Sequence, residues 1–414
     1  MADSPGGKER RVVPVEEEEA SGPNGGVAET KGPKHAETET ETREQPAAGP
    51  KPGQEEQQHE AGGESSTVAP APADALPHWT QPACHPLQNY EEDFDEDDDN
   101  DSALGDDGAS STASLSASIL EYRTIHGRTY HSNIGNAEYW GPNDDRQLES
   151  MDLSHHAFTL LLEDKLFLAP IPDDVQKVLD VGTGSGIWAI DFADKYPQAE
   201  VIGTDLSPTQ PGWVPANVKF EVDDATLVWT FRPNVFDFVH MRDLFGSIQD
   251  WNSLYRQAYK CIKPGGYIED FECSVVISSD DGSVAPGMAC YDWGRIFHEA
   301  GRKMGRPMDV VERGIVPAGL KAAGFVDVVE RRYRLPLTAW PADKRLREVG
   351  AIQHWAAQEG LEGYAMYLLT QQLKWAPERV QLLLACIRKE LRSNKLHPYA
   401  WVQVTYGRKL EVGE

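Results

Sequence analysis

The sequence predicts an α/β fold, a doubly wound and mostly parallel sheet, preceded by a long acidic tail. Three observations carry this. Lys177 to Asp205 reads as strand, glycine turn, helix and strand. Beyond it, short apolar runs alternate with stretches of helical periodicity, the order that indicates a parallel sheet. The 414-residue chain has a formal charge of −28, most of it near the N-terminus.

In chain order, residues 1–118 hold 7 Lys/Arg against 27 Asp/Glu, a charge of −20, and the remaining 296 residues carry −8. A strongly charged segment poor in large apolar residues cannot bury enough surface to offset its chain entropy. Residues 1–117 are therefore expected to be a disordered acidic tail, and 118–414 one domain with its own core. The densest acidic blocks, Glu16 to Glu19 and Glu91 to Asp101, read either as solvated spacers or as docking arms for regulatory proteins with basic surfaces. Five cysteines (Cys84, Cys261, Cys273, Cys290, Cys386) show no C-x-x-C spacing and fit reduced thiols in an intracellular protein of nucleus or cytoplasm. No apolar run reaches bilayer length, and the polar N-terminus lacks the apolar core of a signal peptide. Neither membrane association nor direct nucleic-acid binding is expected.

Ser118 to Tyr122 is expected to open a helix, with Gly127 to His131 and Glu138 to Asp144 as aromatic-studded loops. Met151 to Leu168 has helical periodicity, with Leu153, Ala157, Leu160 and Leu161 on one face. His155 and His156 are adjacent and so point to different sides, which argues against a shared metal.

The glycine stretch carries the chemistry. Val178, Leu179 and Val181 form the short apolar run that a strand buried on both faces needs. Gly182, Gly184 and Gly186 follow at spacing two, and only glycine takes positive φ cheaply while letting a ligand approach the backbone. Ile187, Trp188, Ile190 and Phe192 make a helical stripe, and Glu200 to Thr204 returns as a strand. That strand delivers Asp205 nineteen residues after Gly186, where an acid accepts ribose hydroxyls in folds of this type. With no cofactor bound, the Asp205 carboxylate is expected to lack partners. The pattern is D-x-G-x-G-x-G from Asp180, not the dinucleotide G-x-G-x-x-G, and Ile187 stands where that fingerprint wants glycine. An acid just before the glycines repels a pyrophosphate and suits a cation. S-adenosyl-L-methionine, with a sulfonium and an ammonium, fits better than NAD.

Val218 to Val222 reads as a third strand, followed by Asp223, Asp224 and Ala225. A carboxylate there either accepts from an adenine amino group or caps a helix. Val235 to Met241 is a fourth strand, Asp250 opens a helix, and Lys263 to Gly266 turns into a fifth strand at Tyr267 to Cys273. Residues 340–396 hold three helical stretches inserted between the last two strands, where a substrate-covering cap is expected; Trp355, Tyr364, Met366 and Tyr367 lie in it.

The blocks VLDVGTGSGIWAIDFA, VIGTDLSPTQPGWVPANVKFEVDDA, FDFVHMRDLFGSIQDW and IKPGGYIEDFE resemble, in order and spacing, the class I S-adenosylmethionine-dependent methyltransferases. Together with EYWGPNDD and MDLSHHAF they resemble the LaeA-like methyltransferases of filamentous fungi, over roughly residues 120–410. The resemblance implies a seven-stranded Rossmann-like sheet with the last strand antiparallel, an edge that Pro398 to Thr405 would form against Val326 to Tyr333. It implies that Asp180, Gly182, Gly184 and Gly186 hold the methionine part of the cofactor, Asp205 the ribose, and Asp224 with Asp223 the adenine. Thr183, Leu206 and Ala225 complete the expected cofactor set. His240, ending the fourth strand, stands where such enzymes place residues that face the methyl group. Gly141 departs from the pattern, which has a larger apolar residue before Pro-Asn.

The expected function is therefore methyl transfer from S-adenosyl-L-methionine to a small-molecule or protein acceptor, in the regulation of secondary metabolism. The alternatives are a catalytically idle cofactor-binding scaffold in a nuclear regulatory complex and a nicotinamide-dependent oxidoreductase. A hydroxyl or ammonium acceptor needs a base, for which His240, Glu269 and Glu272 are candidates by their place on the strands. Deleting residues 1–115 is expected to leave thermal stability and cofactor affinity unchanged, as read by calorimetry; a lower melting temperature would place the domain boundary too late.

Overall fold

The computed structural model describes residues 121–132, 139–411 and 413. The acidic tail and Ser118 to Leu120 lie outside the described residues.

The first described residues, Glu121 and Tyr122, are irregular rather than helical and lead into a hairpin. Strands β1 (Arg123–Ile125) and β2 (Arg128–Tyr130) pair antiparallel. His126 and Gly127 join them at φ 51° and 73°, the two-residue turn that matches strand twist. The expected loop at Gly127 to His131 is thus mostly strand. Helix α1 (Asp145–Leu161) begins earlier than its apolar period suggests, because Asp144 caps it by accepting from the Gln147 N–H at 3.1 Å. It ends earlier too, at a turn where Glu163 and Asp164 take φ of 59° and 62°. Asp144 also receives a two-pronged ion pair from Arg128, at 2.5 and 2.7 Å, fastening the hairpin to the start of α1.

Strand β3 (Lys177–Val181) occupies the middle of the main sheet and is buried over its last four residues. Helix α2 (Ile187–Lys195) buries Trp188, Ala189, Phe192 and Ala193. It is followed by β4 (Glu200–Asp205), β5 (Val218–Val222), β6 (Phe236–Arg242), α3 (Trp251–Cys261) and β7 (Ile262–Ser278). Helices α4 (Ala289–Met304), α5 (Val310–Arg313) and α6 (Ile315–Ala323) then lead to β8 (Val326–Pro336). The chain ends on β9 (Tyr399–Arg408). The seven strands stand in the order β5-β4-β3-β6-β7-β9-β8, with β9 antiparallel to both neighbours. The order reverses at β3, since β4 lies on one side and β6 on the other. Ligands of doubly wound sheets bind outside the carboxyl ends at such a point.

Two expectations about the strands need correction. The Lys263–Gly266 segment does not precede the fifth strand but bulges out of it: Phe236 pairs with Ile262, and Phe238 already with Tyr267. The bulge is anchored on the far side, where Gly265 N–H donates to the Lys409 carbonyl at 2.8 Å. The antiparallel strand is not an edge. β9 pairs with β8 as expected, yet lies between β7 and β8, with Val402, Gln403, Val404 and Thr405 fully buried.

Between β8 and β9, the first two expected helices are one. Helix α7 (Lys344–Tyr367) continues through a single wide turn at Leu368–Gln372, and α8 (Pro377–Leu391) follows. Helix α7 lies along α1, where Ser150 Oγ donates to the Ala356 carbonyl at 2.8 Å and Arg146 reaches Glu359 at 3.0 Å. Leu383, Leu384 and Ile387 of α8 pack with Ile296 and Phe297 of α4 in one buried cluster. No helix among the described residues is long and apolar enough to cross a membrane.

Strand β7 buries three carboxyl groups, and their partners are backbone or phenol. Glu269 Oε2 accepts from the Leu168 and Ala169 N–H groups at 2.7 and 2.6 Å. Asp270 accepts from the Tyr255 hydroxyl at 2.7 Å. Glu272 accepts from Leu244 N–H at 2.8 Å and Phe245 N–H at 3.0 Å. Buried backbone donors need such acceptors, so Glu269 and Glu272, expected as candidate bases at strand ends, instead tie down the chain entering β3 and the chain leaving β6. Burial pushes the Glu269 carboxyl up to about 8, against the two N–H donors, from an ordinary 4.5. A folded-state value above the unfolded one gives stability that is complete below about pH 4.5 and lost as pH rises through about 8. Glu269→Gln is expected to flatten the fall in melting temperature across this window. Glu269→Ala, which orphans two N–H groups, is expected to cost about 1–3 kcal/mol below about pH 4.5, where Glu269 is protonated in both states, and less as pH rises. Chemical denaturation at a series of pH values reads both.

Candidate cofactor and acceptor site

The site starts at the carboxyl end of β3. Gly182, Gly184 and Gly186 take φ of 72°, 58° and 84°, a run that residues with a Cβ avoid. The turn they make is fastened to β4. The Thr204 carbonyl accepts from the Gly182 and Thr183 N–H groups at 2.8 and 2.9 Å. Asp205 Oδ2 accepts from Gly184 N–H at 2.9 Å, and Oδ1 from Ser207 N–H at 3.1 Å. The expectation that Asp205 lacks partners without a cofactor is therefore wrong: its carboxylate shapes the turn. Burial pushes that carboxyl up to about 6, countered by the N–H groups of Gly184, Ser207 and Leu206.

Asp180 is held from both sides. Its Oδ2 accepts from the Thr183 hydroxyl at 2.6 Å, and its Oδ1 lies 2.7 Å from His240 Nδ1. The two residues also face each other in the β3–β6 register. The His240 ring stacks on Trp188, centroids 3.7 Å apart and 3° from parallel. Burial holds the imidazole below its ordinary range despite Asp180, and a ring carrying its proton on Nδ1 donates it to the carboxylate. His240 lines the cavity, but one nitrogen and one face of its ring are already engaged.

At the end of β5, Asp223 N–H donates to the Asp205 carbonyl at 2.9 Å. Asp224 Oδ1 accepts from the Thr226 N–H and hydroxyl at 2.9 and 2.6 Å. The cap at Asp224 serves a turn, since no helix follows. Its second oxygen, Oδ2, is buried without a hydrogen-bond partner among the described residues.

A cavity of about 310 Å³ joins these groups, lined by Asp180, Gly182, Thr183, Gly184, Asp205, Leu206, Asp223, Asp224, Ala225 and His240. Of the expected residues Gly186 does not line it. A Cβ there would come within 2.5 Å of the Phe220 ring, so this glycine lets α2 start close against β5.

The aromatic loop closes one side. Trp140 Nε1 donates to the Phe245 carbonyl at 3.2 Å, and Asn143 Nδ2 to Ser207 Oγ at 3.3 Å. Tyr139 and Trp140 both line the cavity. The unusual Gly141 has a local reason: a Cβ would lie 2.7 Å from the Tyr139 hydroxyl and 2.8 Å from its ring. Away from the cavity face, His155 links Arg242, at 3.0 Å, to Asp191, at 2.9 Å, while His156 is exposed.

Sequence reasoning missed Met151, whose methyl covers Gly184, and Asp243, the carboxylate that follows β6 and lines the cavity. The acid three residues past His240 was the available signal for the second. Beyond Asp243 the cavity continues into an apolar chamber bounded by Trp293, Phe297, Leu335, Leu361, Tyr364 and Ile387.

A family profile described as a methyltransferase domain matches residues 153–305. Methyltransferase pytC of Aspergillus terreus is 40% identical over 294 residues, 70% of this chain and 89% of that protein. The secondary metabolism regulator LAE1 of Cochliobolus heterostrophus is 33% identical over 69% of this chain and 94% of its own. The protein-methionine methyltransferase laeA of Emericella nidulans is 31% identical over 70% and 77%. Among solved structures, phosphoethanolamine N-methyltransferase 2 of Haemonchus contortus, in complex with S-adenosyl-L-methionine, aligns with a TM-score of 0.37 at 19% identity, covering 62% of this chain and 52% of that one. With the fold and these relatives together, the chain belongs to the S-adenosyl-L-methionine-dependent methyltransferases, among the LaeA-like methyltransferases of filamentous fungi.

Proposed function

We propose that the protein transfers the methyl group of S-adenosyl-L-methionine to a small, largely apolar acceptor of fungal secondary metabolism. The observation that carries this reading is one continuous cavity, running from the glycine turn into the apolar chamber under α7 and α8. Sites of this kind, mostly apolar with a few placed polar groups, suit small molecules.

The residues present fit the cofactor. Asp224 Oδ2, buried and without a partner, is an acceptor suited to an adenine amino group, with Asp223 and Ala225 beside it. Asp205 keeps lone pairs for the ribose hydroxyls after accepting its N–H groups, and Leu206 lies against the same part. The backbone of Gly182, Thr183 and Gly184, which lines the cavity, receives the methionine end, whose ammonium Asp180 balances. Once bound, the cofactor supplies a methyl on an already activated leaving group, so the chain mainly has to align the reactants. Such alignment is worth up to roughly 7–11 kcal/mol. In this reading His240 positions Asp180 and walls the methyl side, its Nδ1 engaged by Asp180 and its Nε2 left free of hydrogen bonds among the described residues.

A second reading, a regulator acting on protein, is favoured by the names of the LAE1 and laeA relatives. The acidic tail would then serve as the docking arm, and the acceptor would be a protein side chain. Incubation with labelled S-adenosyl-L-methionine and fungal extract separates the two. Label in the organic-soluble fraction supports the small-molecule reading. Label in precipitated protein alone overturns it, and binding without turnover leaves the scaffold.

Two variants test the cofactor assignment by titration calorimetry. Gly184→Val puts a Cβ 2.3 Å from Met151 Cε at a φ of 58°, and is expected to abolish S-adenosyl-L-methionine binding at a stability cost of about 1–2 kcal/mol. Unchanged affinity would sink the assignment. Asp205→Ala is expected to weaken S-adenosyl-L-methionine and S-adenosylhomocysteine alike, by about ten- to a hundredfold, and also to lower the melting temperature of the ligand-free protein, because Gly184 N–H loses its acceptor. NAD is expected not to bind.

A further inference from the structure

We infer that Asp243 is the acceptor-side catalytic carboxylate and that the acceptor is a flat apolar molecule presenting a phenol- or enol-type hydroxyl; this rests on the methyl-transfer reading above. The residue follows the last position of β6, where its N–H donates to the Phe271 carbonyl at 2.9 Å. It holds a φ of 53°, a left-handed conformation that aspartate tolerates better than most residues. This conformation belongs to a residue that lines the cavity, next in the chain to Leu244, which lies against Gly182, and within electrostatic reach of Tyr364 in the apolar chamber. Its Oδ1 is buried and has no hydrogen-bond partner among the described residues.

Its surroundings do not neutralise it. The guanidinium of the adjacent Arg242 is directed to His155 Nδ1, at 3.0 Å, and sits over the Phe158 ring. The Cys273 thiol and N–H are hydrogen-bond neighbours, and burial still raises the Asp243 carboxyl above its ordinary range. The other ionisable groups within its electrostatic reach are Tyr139, Tyr364, Asp270 and Glu272. A buried carboxylate oxygen with no donor is costly, and a ligand that brings one removes the cost.

The donor that fits is a hydroxyl on a neutral body. An ammonium acceptor would add a cation to an apolar chamber that already faces the methyl donor's sulfonium, and must lose a proton before it can attack. A phenol, with a pKa of about 10, gives its proton to a carboxylate more readily than an alkanol does. The walls, Trp293, Phe297 and Tyr364 among them, suit a flat ring. In the step itself the acceptor oxygen forms a bond to the methyl carbon while the carbon–sulfur bond breaks, its electron pair returning to sulfur. The hydroxyl proton passes to Asp243 and from there to solvent.

The test uses the full chain saturated with S-adenosylhomocysteine and titrated with 2-naphthol, 2-methoxynaphthalene and 1-naphthylmethylamine. The expected result is that 2-naphthol binds at least about tenfold more tightly than the other two. Asp243→Asn, which keeps the size and tolerates the same backbone conformation, is expected to erase that preference while leaving S-adenosylhomocysteine affinity within about twofold. Asp243→Gly, free of any strain at this φ, is a second variant expected to behave alike. The proposal is overturned if 2-naphthol fails to bind, if the amine binds best, or if the preference survives both substitutions. Failure of S-adenosylhomocysteine to bind the unaltered protein would instead overturn the methyl-transfer reading.

Discussion

The site depends on the attachment of the glycine turn to the end of β4. Three glycines at positive φ have no side chains to hold them, and the backbone there is the most conformationally free in the neighbourhood. What fixes it is a row of acceptors on the next strand: the Thr204 carbonyl for two N–H groups and the Asp205 carboxylate for a third. The acceptors are placed by the parallel β3–β4 pairing, in which Val181 faces Thr204. The turn is thus preformed by the sheet, and a ligand need not supply the order. If Asp205 also serves the ribose, as proposed, one carboxylate couples the shape of the turn to occupancy of the cavity.

The same economy governs β7. A strand with three buried carboxyl groups would be unstable if the groups were unpaired, yet each has a donor from elsewhere in the chain. Glu269 reaches the segment before β3 and Glu272 the segment after β6, so the two crossovers bounding the cavity are anchored to one strand. Desolvation raises both groups, and the polar atoms that hold the loops are the ones most sensitive to alkali. The insertion is held by both kinds of contact: α7 by polar bonds to α1, from Ser150 to the Ala356 carbonyl and from Arg146 to Glu359, and α8 by apolar packing on α4.

Most of the fold was legible because its signals are local. β3 and β4 are buried over most of their length and carry short apolar runs, and the glycines sit at positions whose φ only glycine takes readily. Asp205 and Asp224 could be named from their places after strands. The errors arise where pairing partners decide. Lys263–Gly266 has the composition of a turn, and only registration against β6 and the Lys409 segment makes it a bulge. Whether β9 is an edge cannot be read from β9, because its second neighbour, β7, is more than a hundred residues away. The period of α7 continues smoothly into the wide turn at Leu368, so no sequence break marks the true helix end. For Asp243 the signal is slight, an acid three residues past His240, and its place in the cavity lining depends on the fold around it.

Hydrogen-bond satisfaction sorts the carboxylates at the site. Asp180 and Asp205 each have both oxygens engaged by the protein, which suits groups that must hold a turn and a ring in fixed geometry. Asp224 and Asp243 each keep one buried oxygen without a partner. They stand after β5 and β6, on opposite sides of β3 in the strand order. Asn143 Oδ1, Gln147 Oε1, Ser247 Oγ and Gln353 Oε1 of the cavity lining also lack partners among the described residues, but of the lining carboxylates it is Asp224 and Asp243 that do, and the glycine turn lies between them. A ligand with hydrogen-bond donors would meet Asp224 at one end, and a second reactant with a donor of its own would meet Asp243 at the other. On the proposed reading the two unsatisfied carboxylate oxygens would give the cavity a direction, from an adenine end to an acceptor end, that its shape alone does not supply.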